Sequence, residues 1–510
     1  MKKLSTLALI LVVAAGTLLV TGCSRPAPAA RDNLIVAAAA FPANLSPAMT
    51  NDMPSAQIHN IVFDTLVVQD YTMAILPSLA YRWTWDSPSQ LRMFLRSGIL
   101  FHNGDTLTAS DVAFSLERAA MSPHVGHITG MIQGAQVIND HEVLITLDQP
   151  FTPFLSHLAH SATSIVSERA VTQMGEAAHS LAPVGTGQYR VTSVVTGDRI
   201  EMTRWDQFWG EPARVRDLTW RSITDGATRL LELETGGIDV MLALHTMPHD
   251  IPRTAANRDL RVYRQMSLAT NYIGFNVGAA PFNDLRVRMA IYHALDLDAI
   301  NRAVNPGVGE TGRGPINAMV WGSTADRLPR IDFDPARSRQ LLAEAGFPNG
   351  FSTAIYVNEG NLVRADLAEI MQHQLAAVGI TAEVRIVEWG AYLDLTARGD
   401  HTMFVMGWVS VTGDPDYGLH PLFHTENFGA GGNRTFFSNA ELDRLLDAGR
   451  AETDPQRRLE IYYEAQRIVH AEVPWIFWHT GENVHATRSN IRGFQMHPAD
   501  RVAAWEIYFE

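Results

Sequence analysis

The feature that most constrains this chain is its cysteine usage: one in 510 residues, Cys23, placed just after an apolar stretch from Leu7 to Val20 that itself follows Lys2 and Lys3. A basic start, a short apolar core and a small-residue junction are the layout of a secretory signal. The core is too short and too early to serve as a permanent span. Val20-Thr21-Gly22-Cys23 has the order of a bacterial lipobox, in which the cysteine becomes the diacylated first residue. Residues 1–22 then read as a signal peptide and 23–30, with its Arg25-Pro26-Ala27-Pro28 run, as a lipidated tether. The chain is expected in the cell envelope, anchored on the extracytoplasmic face of a membrane. A mature chain with no second cysteine cannot form an internal disulfide, so apolar cores must hold it together.

What remains after residue 22 is long enough for two or three domains with substantial cores. Both lysines of the protein lie in the signal, so the mature chain carries positive charge on arginine alone. That excludes Schiff-base enzymes and P-loop nucleotide binders, which need a lysine at the reacting group or phosphate. The formal charge of −14 becomes −16 once Lys2 and Lys3 are gone, which argues against nucleic acid or an anionic lipid surface as partner. The mature chain has no G-x-S-x-G, no H-E-x-x-H and no cysteine nucleophile, so no enzymatic activity and no cofactor are expected. Gly307-Val308-Gly309-Glu310-Thr311-Gly312 satisfies G-x-G-x-x-G but lacks the strand-then-helix setting of a dinucleotide site. His420 and His424 have the i,i+4 spacing of a metal pair, yet Pro421 between them opposes a regular helix that would bring the rings together. No metal site is expected.

Local patterns alternate strands with helices. Ile35-Val36-Ala37-Ala38 and Val143 to Leu147 read as strands, and Tyr189 to Val195 and Ile200 to Thr203 as a hairpin turning at Thr196-Gly197-Asp198. Ser110-Asp111 is expected to cap a helix, and Asp284 to Ala303 reads as one helix with Val287, Ala290, Ile291, Ala294 and Leu295 on its apolar face. Asp334-Pro335 opens another, Ala365 to Val378 is a third ending at Gly379, and Ile380 to Val387 is the strand that follows. The alternation implies α/β domains.

Four segments in order resemble the family-five extracytoplasmic solute-binding proteins of ABC importers, the receptors for peptides, nickel chelates and glutathione. They are residues 91–119 (LRMFLRSGILFHNGDTLTASDVAFSLERA), the Pro183-Val184-Gly185-Thr186-Gly187-Gln188-Tyr189 turn, residues 271–296, and Asp454 through Pro474-Trp475-Ile476. The resemblance implies a two-lobed periplasmic-binding-protein clamshell of type II, cluster C, with an inserted third domain. Carried onto this chain, lobe one is 31–50, 180–275 and 482–510, the inserted domain 51–179, and lobe two 276–481. The crossings between lobes fall near Asn271 to Asn276 and His479 to Glu482. The implied partners are a permease and ATPase subunits on separate chains, with the binding protein a monomer.

The segment GWVSVTGDPDYGLHPLF, residues 407–423, is closest to the glutathione-binding branch. It implies that Gly407, Trp408, Thr412 and Asp414 lie toward the cleft, with Trp389 at the end of the neighbouring strand and Asp52 and Met53 on the opposing loop. Relatives that bind free peptides carry an acid for the ligand ammonium where this chain has Val411, so Asp52 or Asp414 is the expected substitute. Arg364, at a helix start, is a candidate for a ligand carboxylate. Short peptides or glutathione are the expected cargo; a metal chelate or haem is the alternative.

Overall fold

Strands buried on both faces read as unbroken apolar runs rather than as alternations, and the second half of this chain carries several. In the computed structural model, which describes residues 32–510, they build one half of a ten-stranded mixed sheet. From one edge this half runs Thr381–Val387, Ser352–Asn358, Met403–Val409, Leu260–Phe275 and Trp475–Arg488. Successive residues feed separate cores on its two faces. Ile273, Phe275, Ile355, Val357, Val405 and Ile476 join one core, while their neighbours Tyr272, Tyr356, Phe404, Met406, Trp475 and Phe477 join the other. Tyr272 and Trp475 stack almost parallel in the second core, with ring centroids 3.4 Å apart.

The remaining half continues through Val240–Met241, Asn33–Ala38, Asp217–Ser222, Arg199–Arg204 and Tyr189–Val195. Leu260–Phe275 and Trp475–Arg488, of 16 and 14 residues, pair antiparallel and serve both halves. Their register slips between Met266 and Thr270 and again between Asn271 and Tyr272, opposite His479 to Glu482. The irregularity thus begins a few residues before the Asn271 to Asn276 crossing expected from sequence.

A separate four-stranded antiparallel sheet runs Ala80–Ser87, Gln90–Leu95, Glu142–Leu147, Ile132–Asn139. Gln90–Leu95 and Glu142–Leu147 alternate buried and part-exposed residues, the pattern of a sheet with one core face. Helix Ala109–Ala120 belongs to the same core, whose buried residues all fall between Leu66 and Ile165.

Capping carboxylates explain most differences from the sequence reading. The expected single helix over Asp284 to Ala303 is two, Leu285–Ala294 and Leu297–Val304, because Asp296 accepts the N–H of Ala299 and starts a second helix. Asn361 caps Leu362–Ala376, which therefore begins before Ala365. Thr108, rather than Ser110, caps Ala109–Ala120 through a reciprocal box with Asp111. Trp389 opens helix Trp389–Arg398 behind its cap Glu388 instead of ending the strand.

The expectation about Pro421 is overturned. Helix Pro415–Phe423 runs through it, and the His420 and His424 rings stack 4.4 Å apart at 13°. A proline removes the N–H that would bond the carbonyl four residues back, here that of Tyr417. The Trp408 indole N–H donates to this carbonyl at 2.8 Å instead, so the helix continues with the acceptor satisfied. Among the described residues no helix is long and apolar enough to cross a membrane. The signal, Cys23 and the tether lie outside the described residues.

Candidate functional site

The sheet irregularity opens onto a cavity of about 320 Å³, within the range of small-molecule pockets. Its wall on one side includes Met406 to Val409, and on the other Asp52, Met53 and the Ala499 to Arg501 segment. Along Met403–Val409, pairing with Ser352–Asn358 stops at Phe404, while pairing with Leu260–Phe275 continues to Val409. From Val405 onward this strand therefore has a partner strand on only one side. Such an edge can hydrogen-bond an extended ligand backbone.

Gly407 keeps this edge thin. A Cβ there would stand 2.6 Å from Asn271 Oδ1 and 3.2 Å from an Arg364 guanidinium nitrogen, so the missing side chain is space those two groups use. Trp408 is held from behind by its bond to the Tyr417 carbonyl and packs on the Tyr417 ring, centroids 5.1 Å apart. Trp389 reaches across the cavity wall and donates its indole N–H to Asp52 Oδ2 at 3.2 Å. Asp52 also accepts from Thr50 Oγ1 at 2.6 Å and from the Ser55 N–H at 3.3 Å, capping helix Met53–Val62. Three donors leave this carboxylate roughly one free acceptor site.

The charge balance of the lining is uneven. Glu482 pairs with Arg264 at 2.5 Å, Asp500 pairs with His485 at 3.0 Å, and the exposed Glu359 forms no ion pair with a described residue. Three arginines also line the cavity, and none of them forms an ion pair with a described residue. Arg364, in the first turn of Leu362–Ala376, donates to Asn358 Oδ1 at 2.6 Å. Arg434 donates to the Leu393 carbonyl and Thr396 Oγ1, and Arg501 to Gln69 Oε1 at 2.9 Å. Burial lowers the pKa of all three, that of Arg501 to about 10, because the lost hydration of the charge outweighs what nearby groups return, which at Arg434 include Asp394 and Asp52.

Of the residues expected at the site, Asp52, Met53, Trp389, Gly407, Trp408 and Arg364 line this cavity. Thr412 and Asp414 do not. Thr412 turns its carbonyl to Gln69 Nε2, and Asp414 is gripped by both terminal nitrogens of Arg458 at 2.7 Å while capping Pro415–Phe423. The expectation that Asp414 waits for a ligand ammonium is corrected: its lone pairs are taken by Arg458 and the Asp416 N–H. Arg434 and Arg501 were missed. Neither sits in a local pattern that marks a pocket, and only the lack of lysine hinted that arginines would carry every cationic contact.

Open sheet edge, aromatic walls and a cavity reached from both halves of one sheet define a solute-binding protein of the two-lobed α/β kind. A family model described as bacterial extracellular solute-binding proteins, family 5, matches residues 74–430, and the chain belongs to that family. The glutathione-binding protein GsiB of Salmonella typhi is 30% identical over 485 residues, spanning 93% of this chain and 93% of its own. Heme-binding protein A of Haemophilus influenzae is 28% identical over 514 residues, spanning 91% and 92%. Among solved structures, the periplasmic binding protein DppA from Helicobacter pylori in complex with the peptide STSA superposes with a TM-score of 0.87 at 26% identity. That match covers 94% of this chain and 98% of DppA. Members of this family bind solutes for import and are not enzymes.

Proposed function

We propose that this protein captures glutathione or a short peptide in the cavity and delivers it to an ABC permease whose ATPase subunits are separate chains. The observation that carries the reading is the pairing of a one-sided strand edge, Val405 to Val409, with three cavity arginines that have no carboxylate partner. An extended ligand adds backbone hydrogen bonds along the edge, and its carboxylates neutralise guanidiniums whose burial is otherwise only partly offset. Asp52, with about one acceptor site left, is the acid we assign to a ligand ammonium, and Glu359 is a second lining acid with acceptor capacity. In this reading Cys23 carries the lipid anchor, the chain acts as a monomer, and lobe one (31–50, 180–275, 482–510) closes on lobe two (276–481) beside the inserted domain (51–179).

The haem reading has support in the similarity to Heme-binding protein A. Against it, three of the four cavity histidines, His160, His479 and His485, have both ring nitrogens engaged by protein groups, so an axial bond to iron through any of them would break a contact; the fourth, His245, accepts the Val484 N–H at Nδ1 and is the one whose Nε2 could meet iron.

Titration calorimetry with glutathione, a dipeptide to pentapeptide series and haem separates the readings. Arg364→Gln should weaken glutathione or peptide binding by about 2–5 kcal/mol, the cost of stranding a desolvated carboxylate. Haem binding with no peptide or glutathione heat would overturn the proposal.

A further inference from the structure

Outside the cavity, helix Pro415–Phe423 and its C-cap bring His420 and His424 onto one face, and helix Ala440–Ala451 brings Asp443 and Asp447 opposite them. Both pairs are four residues apart, the spacing that stacks side chains on a helix face. Glu426, in the turn Thr425–Asn427, completes the group. His420 Nε2 lies 3.5 Å from Glu426 Oε1 and 3.5 Å from Asp447 Oδ1. His424 Nε2 is also 3.5 Å from Asp447 Oδ1.

These separations are too long for good hydrogen bonds, and both Nε2 atoms are buried with no hydrogen-bond partner. They match a different geometry. With metal bonds of about 2.0–2.1 Å to imidazole nitrogen and carboxylate oxygen, the edge of a zinc tetrahedron is about 3.3–3.4 Å. One ligand atom from each of His420, His424 and Glu426 falls within 4.8 Å of the others. The Asp447 and Glu426 side chains are more than half exposed, 56% and 60%, so an ion can reach the buried imidazoles from solvent.

We propose that His420, His424, Glu426 and Asp447 form a closed, tetrahedral site for zinc(II), separate from the ligand cavity. Two neutral imidazoles and two carboxylates balance the charge of the ion and leave no open position, which is the character of a structural site. The metal would tie together the end of one helix, the turn after it and a second helix. Without metal, Nδ1 of His420 faces the Asn427 amide nitrogen at 3.1 Å, and Nδ1 of His424 accepts the Glu426 N–H at 3.2 Å, which leaves the ring protons on Nε2. Metal binding moves each proton to Nδ1. A flip of the Asn427 amide then accepts the His420 proton, while the His420 carbonyl keeps its bond from the His424 N–H. At His424 the contact to the Glu426 N–H is given up, so the Thr425–Asn427 turn shifts as Glu426 swings onto the metal.

The test is zinc chloride titrated into chelator-treated protein, with cobalt(II) as a spectroscopic probe. One equivalent of zinc and the intense visible absorption of tetrahedral cobalt are expected. Glu426→Gln and Asp447→Asn change exposed groups without changing their shape and should each lower zinc affinity at least about tenfold, the scale seen even for groups one shell further out. Far-UV circular dichroism and ligand binding in the cavity should stay as in the parent, which separates loss of the site from loss of the fold. The proposal is overturned by the absence of a zinc equivalent at micromolar concentration, by a weak octahedral cobalt spectrum, or by unchanged zinc affinity in the Glu426→Gln, Asp447→Asn double variant.

Discussion

Trp408→Phe isolates one hydrogen bond at the cavity wall. Pro421 deprives the Tyr417 carbonyl of its helical donor, and the Trp408 indole N–H takes that place at 2.8 Å. Tyr417 is 3% exposed, so water has little access to the carbonyl once the indole is gone. Phenylalanine keeps an aromatic ring against Tyr417 but has no N–H. Stranding a buried acceptor costs about 1–3 kcal/mol. Pro421→Ala restores a backbone N–H that can bond Tyr417 directly, so in that background Trp408→Phe should cost only the smaller ring. The coupling between the two changes should therefore approach the same 1–3 kcal/mol, read as a double-mutant cycle from urea unfolding midpoints followed by far-UV circular dichroism. Equal midpoint shifts in both backgrounds would refute the reasoning, since the indole would then stabilise by packing alone.

Three further outcomes follow from particular groups. Gly407→Ala should lower ligand affinity by about 1–3 kcal/mol with folding retained, because the added methyl pushes on Asn271 and Arg364; calorimetry with glutathione checks it, and unchanged affinity contradicts it. Burial pushes protonation of His59, His102 and His479 down to about 4, below the value near 6.5 of the unfolded chain. The unfolded chain thus binds more protons, so stability is full above pH 6.5 and falls as pH drops toward 4, by up to about 1.4 kcal/mol per pH unit for each histidine. Urea midpoints at pH 7, 6 and 5 should decline in that order, and a flat series speaks against it. Cys23→Ser should leave folding intact and release the protein from the membrane fraction; retention as firm as the parent's counts against a lipid anchor.

Period-two burial and end caps made the fold readable. Both cores of the larger half can be traced to alternate residues of the same strands, Val405 against Phe404 and Met406, Ile476 against Trp475 and Phe477. Caps were legible where a proline followed, as at Asp334-Pro335, whose carboxylate accepts the Ala336 and Arg337 N–H groups. The break at Asp296 was not, because an acidic residue amid apolar neighbours reads equally well as the polar face of a longer helix. Of the recognisable segment 407–423, Gly407 and Trp408 line the cavity while Thr412 and Asp414 do not, and residues set by distant packing left no local signal. Arg434 and Arg501 reach the cavity only through the tertiary fold, and Asp414 is withdrawn by Arg458, 44 residues away. Pro421 shows the same limit in reverse: a sound local rule failed because a donor from another element met the orphaned carbonyl.

Native mass spectrometry of protein isolated from its own cell shows whether the cavity holds glutathione or a short peptide. A bound species of peptide mass is expected, lost on denaturation and with lower occupancy in Arg364→Gln. A porphyrin mass with its visible absorbance, or a bound species unaffected by Arg364→Gln, would contradict it.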